Sequence, residues 1–465
     1  MKSMTKVKKT VLAGSLLFLS FFAFSQTENR ENHNQNVQTY RKVQVREMDG
    51  KVLGVDPVDP MQPYWAHKVS QDTWEWKEVK EPHFEGPIPF VHPPLANSEE
   101  PFYHHNHQPS ITWCDNGDLL TVWFSTISEQ GTEMTVLASR LRAGNDYWDP
   151  SSEFFKAENR NMSGSSIFNT GKGEIFHFNG MGAQGITKKV SKDLALVYRV
   201  SYNNGVSWSS PWMVSDQYKN THQPVSGGFM TSKGVLVQVC DVTKLKKSDQ
   251  SAIHISSDGG ESWIDPGEYN EPLECEDESL CGNYIAGIHA GVVELEDGRL
   301  IALSRRHDIE GRMPMSISDD MGKTWRYEPS IFPPIGGGQR LVLMRLREGP
   351  ILLISFTDKR SPEVRKGMTF TDQNGDEFTG YGIFAALSFD EGKTWPTRKL
   401  ITPGKGTYGG GAWTGEFTAT PYRAEHGGYL AATQSPDRMI HLISSRLYYQ
   451  FNLAWLNEPN YIPTE

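Results

Sequence analysis

The chain has 465 residues, a formal net charge of −10 at pH 7, 43 glycines, 27 prolines and 11% aromatic residues. Its acidic balance argues against a nucleic-acid partner, because such binding needs a basic face to neutralise phosphates. Many glycines and prolines favour short strands and turns over long helices, and four cysteines are too few for a disulfide scaffold.

At the N-terminus, Lys2, Lys6, Lys8 and Lys9 precede an apolar run from Val11 to Phe24, with Ala23 and Ser25 spaced as in a cleavage site. This is the pattern of a secretory signal peptide over residues 1–25, too short for a comfortable membrane span. We therefore expect export to the periplasm or medium, with no membrane attachment after cleavage. Residues 26–45 begin as a polar stretch without apolar period and read as a disordered leader. A single folded domain is expected over 46–465. Cys275 and Cys281, close together in ECEDESLC, can pair in an oxidising compartment, while Cys114 and Cys240 sit in strand-like runs.

Internal repetition dominates the rest of the chain. SYNNGVSW (201–208), SSDGGESW (256–263), SDDMGKTW (318–325) and SFDEGKTW (388–395) all fit S-x-[DN]-x-G-x-[ST]-W. The pattern describes a tight hairpin in which the Asp or Asn side chain bonds turn amides, Gly takes positive φ and Trp closes the turn onto a sheet. NDYW (145–148) is a remnant of a fifth copy. Six segments opened by a short turn read as second strands of repeats: GDLLTVWF (117), GEIFHFNG (173), GVLVQVCD (234), GRLIALSR (298), GPILLISF (349) and GYLAATQS (428).

These boxes are Asp boxes, and over residues 90–456 the chain resembles the sialidase-like β-propellers. The resemblance implies an all-β, six-bladed propeller with each box between the third and fourth strands of its blade. The last blade is then closed by sequence from the other terminus. Because strands alternate in direction, the starts of the innermost strands gather on the face opposite the boxes, where this family has its ligand funnel. Moving one strand upstream from each second strand places these starts at NHQPSITW (106), NMSGSSIF (161), THQPVSGG (221), GIHAGVVEL (287), GGQRLVLMR (337) and GEFTATPY (415). Three carry a histidine in one register, namely His107, His222 and His289, with HQP occurring twice.

The resemblance also exposes departures. Sialidases hold a carboxylate with three arginines, use a tyrosine nucleophile supported by a glutamate, and use an aspartate as acid/base. Here His107-Gln108-Pro109 stands where the first arginine is expected, Arg312 matches the second, and Tyr381 occupies the place of the third. His289 replaces the glutamate, and the last inner strand offers Glu416 and Phe417 instead of a tyrosine. A set of His, Tyr and one Arg is similar to that of propeller-fold lyases acting on uronic acids. In those enzymes a base takes the C5 proton, a cation neutralises the carboxylate and an acid protonates the C4 oxygen.

The expected function is β-elimination on an anionic polysaccharide or oligosaccharide, as a lyase, or as a dehydratase if water leaves. His107 or His289 is the expected base, Tyr381 the acid and Arg312 the carboxylate partner. His105, His222, Arg340, Glu416 and Arg438 are expected to line the site. Neither metal nor cofactor is expected, and the protein is expected to be a monomer. Two alternatives stay open. One is a glycoside hydrolase using two carboxylates among Glu129, Glu133 and Glu416. The other is a glycan-binding propeller without chemistry, its funnel lined by aromatics such as Trp413, Tyr408 and Phe417.

Overall fold

A computed structural model describes residues 42–48, 51–59, 73–182, 194–214, 222–242, 249–268, 275, 277, 279–360 and 365–463. The expected signal peptide, and residues 26–41 of the expected leader, lie outside the described residues. Residues 42–45, expected in that leader, are instead part of a strand: Lys42–Met48 pairs with Lys51–Asp59 and docks in parallel on the outer strand of the first blade.

Six antiparallel sheets form a six-bladed β-propeller. Blade 1 runs from an inner strand His105–Trp113 through Leu119–Thr126 and Thr135–Leu141 to Ser152–Ala157. Blade 2 begins at Ser165–Asn169, blade 3 at His222–Met230, blade 4 at Ile288–Glu294 and blade 5 at Val342–Arg345. Second strands such as Leu119–Thr126 and Ile351–Phe356 are buried on both faces, which is why they read as continuous apolar runs rather than alternating ones. Their side chains make the cores between blades; Leu343, Leu352, Ala385 and Leu442 belong to one such cluster spanning blades 5 and 6. Truncating a fully buried residue such as Leu352 to Ala costs about 2–5 kcal/mol through lost transfer energy and the cavity left behind.

All four Asp boxes occupy the turn between third and fourth strands, as expected. In the box at 318–325, Asp320 accepts from the Thr324 amide (2.9 Å) and hydroxyl (2.6 Å), and Gly322 takes φ +84°. The indoles of Trp208, Trp263 and Trp395 close their own turns by donating to the carbonyl three residues earlier. The remnant at 145–148 lies in the equivalent turn of blade 1, with Trp148 buried. Asn204 of one box contacts the first turn of the neighbouring blade at Asn116, so boxes and first turns share a face and the inner strands start on the other.

Blade 6 corrects one strand assignment. GYLAATQS is not a second strand: it holds the inner strand Ala431–Gln434, followed by Ile440–Ile443 and Leu447–Phe451, and Phe84–Pro89 from the N-terminal side closes the sheet. The segment read as the inner strand, Glu416–Ala419, forms a separate hairpin with Gly406–Gly409. Its alternating Phe and Thr fit a pleated surface, and local pattern does not distinguish a blade strand from an excursion outside the blade. Cys275 and Cys281 are joined by a disulfide, and Cys114 and Cys240 are buried free thiols.

Candidate active site

The inner strands of blades 1, 3 and 4 are each irregular near their starts. The pairing register shifts between His107 and Ser110, between Pro224 and Gly228, and between Ile288 and Gly291. Such bulges release the backbone from the ladder and re-aim side chains. Gln108 (φ +52°) and His289 (φ +54°) take the left-handed conformation that non-glycine residues rarely adopt. Proline suits such a place because it has no ladder amide to lose. This accounts for HQP at both 107–109 and 222–224; the two glutamines also meet, Gln223 donating to Gln108 at 3.0 Å and to Ser163 at 2.9 Å.

His289 and His107 converge on a residue that the strand slip concealed, Tyr429. Gly428–Tyr429 pairs in parallel with Gln339–Arg340, so Tyr429 opens blade 6 in register with Arg340 of blade 5. Its hydroxyl lies 2.9 Å from His289 Nε2 and 3.0 Å from Arg305 Nη1. Behind His289 stands Asp241, with Oδ2 2.5 Å from His289 Nδ1 and Oδ1 accepting the His289 amide at 2.6 Å. With Asp241 holding the ring proton on Nδ1, His289 Nε2 is the acceptor for the tyrosine proton, and Arg305 donates to the same oxygen. The guanidinium carbons of Arg305 and Arg340 lie 5.4 and 5.2 Å from the tyrosine ring centroid.

The electrostatics follow from burial among cations. His289 is pushed down to about 4 by burial and by Arg305, against the opposing pull of Asp241. Burial alone would raise the Asp241 carboxyl, but the charge and hydrogen bonds of His289, together with Arg305, hold it below its usual value. The imidazole is therefore neutral and the carboxylate charged at neutral pH. His107 is also neutral, held well below 6.5 by burial and then by His105, Arg340, His289 and Arg305. Its Nδ1 meets Ser445 Oγ at 3.0 Å, and its ring centroid is 4.0 Å from that of Tyr429. Three buried polar atoms here, His107 Nε2, Arg305 Nε and His289 Nδ1, make no hydrogen bond of good geometry among the described residues, the last despite its 2.5 Å approach to Asp241 Oδ2. Unpaired buried polar atoms are rare in native interiors.

Around this centre the expected residues fall into place unevenly. His105 is adjacent, 5.7 Å from His107 ring to ring, and bonds Glu129 Oε1 at 3.1 Å. Arg340 is present but fully engaged below the tyrosine, donating to Leu430 O at 2.9 Å and to Pro109 O. Trp413, 40% exposed, sets its edge toward both His105 and His107 and offers an apolar rim. Phe417 is buried and packs on Tyr408. The backbone of His222 opens blade 3, and its side chain lies outside the described residues.

Four expectations are corrected. Arg312 is exposed, with one long bond to Ile331 O at 3.4 Å; the arginine that reaches the tyrosine is Arg305, which ends the second strand of blade 4. Tyr381 and Glu416 are brought together, but in a separate cleft of about 530 Å³ between blades 5 and 6. Arg438 lies in the turn after Ala431–Gln434, on the Asp-box face, paired with Glu78 at 2.9 Å. Of the carboxylates, Glu133 is used locally by Thr126 and by the Ile127 and Ser128 amides, leaving only Glu129 beside the histidines. Two contrasts with sialidases fail as well: a tyrosine does open the last inner strand, and two arginines approach it.

Sequence reasoning overlooked Asp241 and Tyr429, and placed Arg305 near Arg312 at the funnel face without a role. A signal for Asp241 and Arg305 existed: GVLVQVCD and GRLIALSR end their apolar second strands on Asp241 and on Arg305, at the funnel end.

A family model described as a BNR repeat-like domain matches residues 117–442. Among solved structures, the chain is similar to a Hadza microbial sialidase at 16% identity and TM-score 0.51, covering 75% of this chain and 66% of that one. It is similar to the NanB sialidase from Streptococcus pneumoniae at 13% identity and TM-score 0.51, covering 80% and 70%. A Dyadobacter fermentans protein of unknown function matches at 14% identity and TM-score 0.52, covering 79% and 98%. The chain thus spans just under two thirds of the Hadza enzyme, and likeness at these identities concerns the fold. No curated protein sequence matches it.

Proposed function

Because the chain belongs to the BNR repeat-like family and folds as a sialidase-like propeller, we propose that it is a carbohydrate-active enzyme with Tyr429 as its reacting group. The reading favoured by the geometry is hydrolysis of a glycosidic bond to an anionic sugar. One observation carries it: the contiguous polar series Asp241, His289, Tyr429, Arg305, with contacts of 2.5, 2.9 and 3.0 Å. Such a series activates a weak nucleophile by giving its proton a base, orienting that base, and stabilising the resulting anion.

In this mechanism Tyr429 attacks the anomeric carbon as its proton passes to His289 Nε2, and the carbon–oxygen bond to the leaving group breaks. Glu129, beside His105 at the rim, is the carboxyl placed to protonate the departing oxygen. It then takes a proton from the water that cleaves the glycosyl–tyrosine bond, while His289 returns the proton to Tyr429. His289 with Asp241 would thus serve where sialidases have a glutamate. The orphan Arg305 Nε supports an anionic substrate group nearby, since charge-assisted bonds there contribute about 1.5–3 kcal/mol each. His107, standing where sialidases have an arginine, favours a different anionic sugar or a different mode of holding it.

A second reading, β-elimination at a uronic acid, is favoured by the free His107 Nε2, a neutral imidazole nitrogen beside a tyrosine and an arginine. Burial lowers both the His107 and the His289 imidazole; the difference is that His289 has the Asp241 carboxylate at its Nδ1 to stabilise the protonated ring, whereas His107 has only the Ser445 hydroxyl. The test is a panel of sialosides, aryl uronides and uronic-acid polysaccharides. Release of reducing ends or aryl alcohol is followed together with the ultraviolet absorbance of unsaturated uronate. Release without new absorbance supports hydrolysis, absorbance supports elimination, and neither with any substrate overturns the enzyme reading.

A further inference from the structure

The cleft between blades 5 and 6 has chemistry of its own. Arg365, Tyr381, Glu416, Arg423 and His426 line it. Among the described residues neither Arg365 nor Arg423 has an ion pair, and the one other cation on the wall, Lys359, is taken by Asp308 at 2.5 Å. Two carboxylates share the wall: Asp358, whose charge acts on Arg365 while its oxygens accept from the amides of Lys366 and Gly367 and from the Thr357 hydroxyl, and Glu416. Burial and then Arg365 and Arg360 hold His426 down at about 4, which puts the Arg365 guanidinium within electrostatic reach of that imidazole. In a chain of net charge −10, a cleft with two guanidinium groups that make no ion pair among the described residues is a local departure from the overall balance.

The cleft is also next door to the funnel. Gln339 forms the partition, donating to His426 O at 3.1 Å and to Asp358 O at 2.8 Å, while its own carbonyl accepts from Arg305 at 2.9 Å. Over the top, Arg360 lies 5.1 Å from the ring of Trp413, whose edge meets His105 and His107. A saccharide seated on Trp413 would therefore have this cleft beside it.

We propose that Arg365 and Arg423 form a second anion subsite, which binds a carboxylate or sulfate ester on the sugar residue adjacent to the one at Tyr429. The inference rests on the carbohydrate reading above and makes the substrate a multiply charged saccharide instead of an isolated acidic sugar. Planar guanidinium groups suit both oxyanions, and the Arg423 guanidinium carbon lies 6.0 Å from the Tyr381 ring centroid.

The test is calorimetric binding to the full chain with three probes: a chondroitin 4-sulfate tetrasaccharide, its desulfated counterpart and neutral maltotetraose. Each is run against wild type, Arg365→Ala/Arg423→Ala, Arg365→Lys/Arg423→Lys and Tyr429→Phe. An anionic probe should bind at least tenfold tighter than maltotetraose, with weaker binding as salt rises. The double alanine variant should lose that preference, the double lysine variant should recover part of it, and Tyr429→Phe should retain it. Loss confined to the sulfated probe assigns sulfate, and equal loss for both assigns the carboxylate. Equal binding of anionic and neutral probes, or an unchanged preference in a folded alanine variant, overturns the subsite. Because binding needs no turnover, a preserved preference in a chain that cleaves nothing would leave the subsite standing while the hydrolase reading fell.

Discussion

Replacing Asp241 with Asn keeps the shape of the site and changes one proton. In the native arrangement both carboxylate oxygens serve His289, at 2.5 Å to Nδ1 and 2.6 Å to the amide, and Ser251 Oγ adds a bond at 3.1 Å. An asparagine oxygen that keeps the bond from the amide turns its NH2 toward Nδ1, which must then accept. The ring proton moves to Nε2 and points at the Tyr429 hydroxyl, so the tyrosine loses its proton acceptor. A wrong-tautomer change of this kind costs about 10⁴ in kcat in a serine triad, equivalent to about 5 kcal/mol of transition-state stabilisation. KM should change little, since Asp241 lies behind His289, away from the funnel. Steady-state kinetics on whichever panel substrate turns over, with thermal unfolding as a check on folding, would measure this. A folded Asp241→Asn enzyme within tenfold of the wild-type kcat would refute the relay.

Three further predictions concern other parts of the molecule. Glu425 is buried, its carboxyl raised from 4.5 to about 8 by desolvation, and it accepts from Tyr449 at 2.9 Å and Thr414 at 3.2 Å. The folded state therefore binds this proton more tightly than the unfolded chain, so the contribution of Glu425 to stability should fall as pH rises from about 4.5 to 8, opposing the rise contributed by the histidines that burial holds below 6.5. Glu425→Gln should remove that falling component, so the stability of wild type minus that of the variant should shrink with rising pH in denaturant melts, and a difference independent of pH would contradict it. Glu129→Gln should lower turnover about 10²-fold for sugar leaving groups and little for activated aryl ones, as a lost general acid does; equal losses on both would remove Glu129 from that role. Asp320→Ala, in an Asp box on the far face, should destabilise the fold by about 1–2 kcal/mol by deleting its turn bonds while kcat stays unchanged.

The repeat makes the fold legible because Asp-box turns impose local chemistry: a bonding side chain, a positive-φ glycine and a closing tryptophan must recur wherever the turn recurs. The funnel histidines are legible for a similar reason, since His107 and His289 sit at bulges that break the strand pattern. The reacting tyrosine is not. Gly428–Tyr429 and Glu416–Ala419 are both short strand-like stretches, and only long-range pairing decides which one enters a blade. Arg312 and Arg305 are hard to tell apart in sequence because strand order places both near the rim, whereas burial against Tyr429 distinguishes them. Tyr381 and Glu416 do lie near one another, as their strands suggest, but in the neighbouring cleft and away from the histidines.

The most direct test of the central claim is to quench an active preparation during turnover and map its peptides by mass spectrometry. A glycosyl adduct on the peptide containing Tyr429, absent from Tyr429→Phe, is the predicted result. An active enzyme whose Tyr429 peptide stays unmodified, alongside a Tyr429→Phe variant as fast as wild type, would contradict it.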